Sequence, residues 1–217
     1  MTERTVFAVD LTSAHVSIAR VSSTDDLPRV KRIAVDNLGE HSTATTVQRI
    51  NAAASATLAA VTKNGDPELV VMAKFWTSSG MDREPAQARR AWLWFAIVER
   101  LVERGIPVAE LPMLTIQAWA GTMVDLRKGA IELLESDVRR RYPDIKEPLH
   151  YRLTTVAFAC AGAMAVGIDT EYAVTTERLV KLAGRGRNAV QWPHELTPPA
   201  TLKEWSQRVR SVVDTNT

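Results

Sequence analysis

The chain has 217 residues, of which 46% are hydrophobic and 24% are charged, and its formal net charge is +2. This composition is typical of a globular domain, and the small net charge excludes nucleic-acid binding that depends on the field of the whole molecule. A single cysteine, Cys160, excludes an intramolecular disulfide and a multi-cysteine zinc site.

The first part of the chain has the pattern of three antiparallel strands. An apolar run at residues 6–9 ends at Asp10, a polar turn follows, and residues 16–21 alternate between apolar and polar side chains. Residues 30–35 form a third segment of the same kind. Short segments separated by turn residues predict a meander of three strands.

Helical patterns alternate with short apolar runs in the rest of the chain. The run at residues 69–72 is typical of a strand that is covered on both faces, and residues 107–111 form another short strand. Helices are predicted at residues 43–62, 86–104, 115–120, 128–141 and 149–167. The order predicts an α/β fold with a mixed five-stranded sheet, its three antiparallel strands first, flanked by helices.

The C-terminal part is predicted to be a helical tail. We divide the chain into a domain at residues 1–168 and an extension at residues 169–217, whose last helix covers residues 200–213. Trp192 and Trp205 are expected to dock the tail on its own core or on a partner chain, with the first option favoured.

This order of elements is the ribonuclease H-like order, and the sequence resembles the RuvC-type Holliday-junction resolvases, especially diverged forms encoded by phages of actinobacteria. The resemblance runs from about residue 6 to residue 167. It rests on Phe7-Ala8-Val9-Asp10, Leu69-Val70-Val71-Met72-Ala73, Arg104-Gly105-Ile106-Pro107-Val108, Leu111-Pro112 with Thr115, Arg141-Tyr142-Pro143-Asp144 and the last apolar helix.

The resemblance implies a phosphodiesterase site in which four side chains hold two Mg²⁺ ions, which need several carboxylate oxygens. Asp10 supplies the acid of the first strand. Ala73 stands where the family has a Glu at the end of the fourth strand. Thr154 or Thr155 stands where the family has its last Asp. The sequence therefore predicts a catalytically degenerate site.

Two side chains remain as candidates for residual chemistry. Asp10 and His150 are the residual catalytic residues and the ligands for Mg²⁺ or Mn²⁺ if a metal binds, whereas Arg152 adds positive charge where metal ions need negative charge. Asp10 has an alternative reading as an acid that is hydrogen-bonded to its turn. Acids in loops, such as Asp82 and Glu147, leave a rearranged active site open as a further alternative.

DNA binding has a separate basis in the segment after the fourth strand. Phe75 or Trp76 is positioned to stack on an exposed base, as the wedge residue of some relatives does, although both aromatics have an alternative role in packing under the adjacent loop. Phosphate-neutralising side chains are expected at Lys74, Arg83, Arg89, Arg90 and Lys128.

Aromatic residues on the second predicted helix suggest an interface. Trp92 and Phe95 share a helical face that we assign to the core, whereas Trp94 points elsewhere. In the resolvases the corresponding helices form the two-fold contact. We therefore expect a homodimer with an exposed Trp94 at its interface.

Three functions follow from these observations. The first is a degenerate RuvC-like protein that binds branched or distorted DNA of the Holliday-junction type in phage DNA metabolism. The second is a phage structural or assembly protein that reuses the fold as a scaffold and binds other phage proteins. The third is an active Mg²⁺-dependent resolvase with a rearranged site.

The same sequence predicts where the protein works. No apolar run approaches the roughly 18 residues of a membrane helix, and the N-terminus lacks the pattern of a signal peptide. We expect a protein without a membrane partner in the cytoplasm, which is the host cytoplasm if a phage encodes it, with a virion location as the alternative.

Overall fold

The computed structural model describes residues 3–12, 14–35, 42–75, 84–122, 130–184 and 190–215, without the side chains of residues 84–85, 130 and 210–215. The strands are β1 (Thr5–Leu11), β2 (His15–Ser22), β3 (Arg29–Ala34), β4 (Leu69–Ala73) and β5 (Val108–Leu111). The helices are α1 (Thr43–Val61), α2 (Glu84–Glu103), α3 (Met113–Ala120), α4 (Ala130–Arg141), α5 (Thr154–Val166), α6 (Thr176–Ala183) and α7 (Leu202–Thr215).

The five strands form one mixed sheet in the order β3-β2-β1-β4-β5. β1 pairs antiparallel with β2, and β2 with β3, whereas β4 runs parallel to β1 and to β5. Helices follow β3 and β4 because a parallel neighbour can be reached only by a crossover connection. The predicted α/β fold, with three antiparallel strands first, is confirmed.

Alternation along the strands divides the core between the two faces of the sheet. Val6 and Ala8 of β1 pack against α5, whereas Phe7, Val9 and Leu11 face α1 and α2. All thirteen residues of α5 are buried. Gly162 allows this close approach, since a Cβ there would lie 2.5 Å from Cγ2 of Val71.

The predicted orientation of α2 was wrong. Trp94 is only 7% exposed, whereas Trp92 is 44% and Phe95 is 62% exposed. The Trp94 indole Nε1 donates to the backbone carbonyl of Ala73 at 3.0 Å, a contact that turns this side chain towards the end of β4. Leu93 and Ile97 complete the buried face beside it. Helical spacing grouped Trp92 with Phe95 correctly but could not decide which face lies on the sheet.

The predicted start of the last core helix at residue 149 was also wrong, because α5 begins at Thr154. His150 has a φ of 59°, in the left-handed region that ends any helical run. The Tyr151 hydroxyl donates to the carbonyl of Ile18 at 2.9 Å, which holds this segment against β2. Tertiary contacts therefore replace the first predicted turn of the helix.

Aromatic side chains connect the C-terminal residues to the core. The Trp205 indole of α7 donates to the carbonyl of Met164 at 2.8 Å, and the Trp192 indole donates to the carbonyl of Leu182 at 2.9 Å. Gln191 and Glu110 exchange two backbone hydrogen bonds, which cover the outer edge of β5. Within the described part of the chain, no helix combines the length and apolar character needed to cross a bilayer.

Candidate functional site

The candidate site lies at the sheet edge where the parallel strands β1 and β4 end. Val9 pairs with Met72, so Asp10 and Ala73 are the next residues on the two neighbouring strands. The Asp10 side chain is on the α5 face, since Ala8, two residues earlier, packs there. Asp10 is only 3% exposed. A buried carboxylate needs partners, and its two partners define the site.

The first partner of the Asp10 carboxylate holds its orientation, and the second neutralises its charge. The backbone N–H of Leu11 donates to Oδ1 of Asp10 at 2.8 Å. Arg152 donates from Nη1 to Oδ2 at 3.1 Å. The Arg152 backbone N–H also donates to Oγ of Ser17 at 3.4 Å, and Ser17 is the residue of β2 opposite Asp10. The positive charge that the sequence placed near this site therefore contacts Asp10 directly.

A second guanidinium, that of Arg90 on α2, interacts electrostatically with the same carboxylate. Burial lowers the pKa of Arg90, the charge of Arg152 lowers it further, and Asp10 raises it. Nε of Arg90 is buried and has no acceptor among the described residues. Its guanidinium carbon lies 5.5 Å from the centre of the Phe75 ring. Asp10 is therefore hydrogen-bonded to Arg152 and interacts electrostatically with Arg90.

His15, the first residue of β2, adds a titratable group beside this pair. Burial lowers its pKa, the charges of Arg32 and Arg152 lower it further, and Asp10 raises it. Its Nδ1 lies 3.0 Å from Oγ1 of Thr12, whereas Nε2 is buried without a partner in the described ranges. His15 therefore favours the neutral form in the folded protein.

The residues at the metal positions that the resemblance implies do not fit a pair of Mg²⁺ ions. Ala73 offers no donor, and Thr154 is a buried neutral residue whose hydroxyl has no partner among the described residues. Asp10 already accepts from a guanidinium. No group of three or more His, Cys, Asp or Glu side chains in the described segments is arranged to hold a metal ion. His150 is exposed, and its pairing with Asp10 around a single ion stays a prediction.

The expected DNA-binding residues are only partly described. The Lys74 ammonium lies 3.7 Å from a carboxylate oxygen of Glu110, and half-buried Phe75 packs against the α1 and α2 side of the core. The predicted packing of Phe75 under the adjacent loop stays a prediction, since that loop lies outside the described residues. Trp76, Arg83 and Lys128 lie outside the described residues.

Comparison with solved structures identifies the architecture. Thermus thermophilus RuvC in complex with a Holliday-junction substrate superimposes with a TM-score of 0.53 at 17% identity, over 72% of this chain and 90% of that chain. Another Thermus thermophilus RuvC structure superimposes with a TM-score of 0.52 at 19% identity, over 71% of this chain and 90% of that chain. This chain has the RuvC fold. No model of a protein family matches the sequence, and no curated protein matches it.

Sequence reasoning found part of this site on the RuvC fold. It identified Asp10, Ala73 and Arg152, and it placed Arg90 among the phosphate contacts without its connection to Asp10. It missed His15, although a residue that opens β2 just after the turn from Asp10 must lie near that acid. On this fold, Asp10 at the end of β1 is paired with Arg152, and its charge also acts on Arg90 and His15.

Proposed function

We propose that the protein is a catalytically degenerate RuvC-like protein that binds branched or distorted DNA of the Holliday-junction type, in phage DNA metabolism. The observation that carries the proposal is the hydrogen-bonded ion pair between Arg152 and Asp10 at the position where a two-metal site needs its first carboxylate. A guanidinium at this place repels divalent cations and attracts phosphate.

The charges around Asp10 support binding without cutting. Two-metal hydrolysis requires carboxylate oxygens that bridge the ions, and Asp10 is the acid that the first strand supplies. Arg90 and His15 lie close enough to Asp10 for its charge to alter their pKa values. Such a cluster suits contacts with a DNA backbone, which supply most sequence-independent affinity. On the same fold, one of the RuvC structures described above holds a Holliday junction.

Exposed aromatic residues on α2 support a homodimer. Trp92 and Phe95 lie on one face of the helix, with Glu99 and exposed Val102 continuing it. Aromatic residues are enriched at protein interfaces, and an exposed aromatic pair favours burial against a second chain. A two-fold dimer would present two clefts, which suits a branched DNA with two-fold symmetry.

The two alternatives have weaker support. A scaffold role would bury an exposed Trp94 or Trp205 against another subunit, but each indole donates to a carbonyl of its own chain. A rearranged active site needs further acids near Asp10. Glu147 instead forms an ion pair with Arg139, and Glu135 accepts from the backbone N–H of Leu153 at 3.2 Å.

The test is a native gel shift in EDTA that compares a labelled four-way junction with a linear duplex of the same length. The proposal expects the junction to bind more tightly than the duplex, with an affinity that falls steeply as salt rises. A protein that binds neither DNA at low salt would overturn it. Arg104→Gln is the control variant, because Arg104 is paired with Asp66 at 2.6 Å, away from Asp10. It should bind the junction as the wild type does.

A further inference from the structure

We propose that the outer edge of β3 is a docking site for an extended acidic segment of a protein partner, which joins the sheet as a sixth strand. The proposal goes beyond DNA binding and does not rest on it. Three observations carry it: the free backbone groups of β3, the positive charge of its side chains, and a groove between β3 and α1.

The two edges of the sheet differ in what covers them. β3 and β5 are the edge strands. The edge of β5 is closed by the two backbone hydrogen bonds between Glu110 and Gln191. On the outer side of β3, the described ranges contain no paired backbone segment. An uncovered edge offers a row of donors and acceptors to another chain.

Alternation along β3 identifies its free backbone groups. The Val35 N–H donates to the carbonyl of Ala14, just before β2, at 2.9 Å. Antiparallel strands alternate between hydrogen-bonded and non-bonded pairs, so the backbone groups of Val30, Arg32 and Ala34 point away from β2. These outward N–H and carbonyl groups have no partner among the described residues. A peptide strand can therefore pair with β3 without disturbing the existing sheet.

The side chains of β3 make this edge positive. Arg29 is paired with Asp25 at 2.8 Å. Lys31 is exposed and Arg32 is half-buried, and neither forms an ion pair within the described part of the chain. Successive residues of a strand point to opposite faces, so an added strand meets a cation on each face. Two copies of β3 would bring like charges together, which destabilises pairing. The charge therefore selects an acidic strand over a second copy of this chain.

A groove beside β3 offers room for an apolar side chain of the partner. Its volume is about 350 Å³, and its lining includes Ile33 and Ala34 of β3 with Ala52, Ala53 and Ala56 of α1. Alanine leaves this space because its side chain ends at Cβ. A strand added to β3 would place alternate side chains on the face where Ile33 packs. The occupant is therefore an acidic segment with an apolar residue opposite Ile33.

DNA fits this edge less well than a peptide does. Phosphodiester oxygens are attracted by Lys31 and Arg32, but they only accept hydrogen bonds and cannot pair with the outward carbonyls of β3. A peptide backbone supplies both the donors and the acceptors that the edge needs, and its side chains supply specificity. The edge therefore favours a protein partner, and a DNA contact is one outcome of the test.

The test follows backbone amide exchange by NMR, with the capped peptide Thr-Leu-Glu-Glu-Val-Thr in excess as the probe. We expect the outward amides of Arg32 and Ala34 to exchange roughly tenfold or more slowly with the peptide bound, because they enter a new ladder. The amides of Lys31 and Ile33 already point to β2 and should change little. No added protection of the two outward amides would overturn the proposal.

Substitutions separate backbone pairing from charge. Ala34→Pro removes an outward N–H at an edge position where proline is tolerated, and it should weaken peptide binding roughly tenfold. Ala34→Ser keeps the N–H and is its matched control. Unchanged peptide binding in Ala34→Pro would contradict the proposed strand pairing.

The charge of the edge has its own pair of variants. Lys31→Glu/Arg32→Glu should weaken peptide binding roughly tenfold, because it replaces attraction of the two Glu side chains by repulsion. Lys181→Glu, which changes an exposed lysine of α6, should bind the peptide as the wild type does. A duplex that binds through Lys31 and Arg32 and leaves the outward amides unprotected, in a protein that does not bind the peptide, would assign this edge to DNA and overturn the proposal.

Discussion

Arg152 donates a hydrogen bond to the carboxylate of Asp10 at 3.1 Å, across 142 positions of the chain. The pair joins the end of β1 to the segment that leads into α5. The family that the sequence resembles binds metal ions at this edge of the sheet. In this chain, an arginine neutralises the first acid there. Several properties of the protein should therefore depend on a side-chain cation and not on a metal.

Removal of Arg152 alone should destabilise the fold. Arg152→Gln leaves the buried Asp10 without a charged partner, and we expect a loss of about 1–2 kcal/mol in the free energy of unfolding, because Arg152 is partly exposed. The Asp10→Asn/Arg152→Gln double variant should lose less than the sum of the single variants. Urea denaturation measures all three. Additive losses would show that the two side chains do not interact in solution.

His15 should report the charge of Asp10 through its pKa. Burial and the neighbouring arginines lower the pKa of His15, and Asp10 raises it, so Asp10→Asn should lower it further. Histidine NMR signals followed over pH measure both values. Because the folded-state pKa is below the unfolded value of about 6.5, stability should fall as pH falls from that value through the folded pKa. An unchanged His15 pKa in Asp10→Asn would contradict the described charge cluster.

Trp94 and Trp92 form a matched pair on α2. Trp94→Phe removes the indole donor from the carbonyl of Ala73, and we expect a loss of about 1–2 kcal/mol in the free energy of unfolding. Trp92→Phe makes the same chemical change on a face that is exposed in the single chain. At protein concentrations low enough to separate the chains, it should stay within about 0.5 kcal/mol of the wild type. Urea denaturation compares them. Equal effects would mean that α2 lies on the sheet by another face.

The homodimer can be tested through the exposed aromatics. The Trp92→Ser/Phe95→Ser variant should shift the mass measured by light scattering from two chains to one, because it removes the apolar contact of α2. Val180→Ser on α6, also an exposed apolar position, is the control and should leave the dimer intact. A wild-type protein with the mass of a single chain would exclude this interface.

The strands of the sheet could be predicted from the sequence, because the apolar patterns and turn residues that mark a strand lie in neighbouring positions of the chain. Residues 69–72 were apolar throughout, and they form the core of central β4. The sequence could not orient α2, because a hydrogen bond to a backbone carbonyl of β4 turns Trp94 inward. The spacing of apolar residues along a helix does not reveal such a contact. It could not place the start of α5, because the contacts of Tyr151 and Arg152 are made to β1 and β2. The lack of acids at Ala73 and Thr154 was visible in the sequence, whereas the electrostatic interaction of Arg90 with Asp10 required the folded chain.

The most direct test of the central claim is incubation of a labelled four-way junction with excess protein in Mn²⁺, followed by a denaturing gel. The account predicts that the junction strands stay intact, because Arg152 already neutralises the first carboxylate and Ala73 supplies no second acid. Cleavage by the wild-type protein that disappears in Asp10→Asn would contradict the account and establish a metal-dependent nuclease.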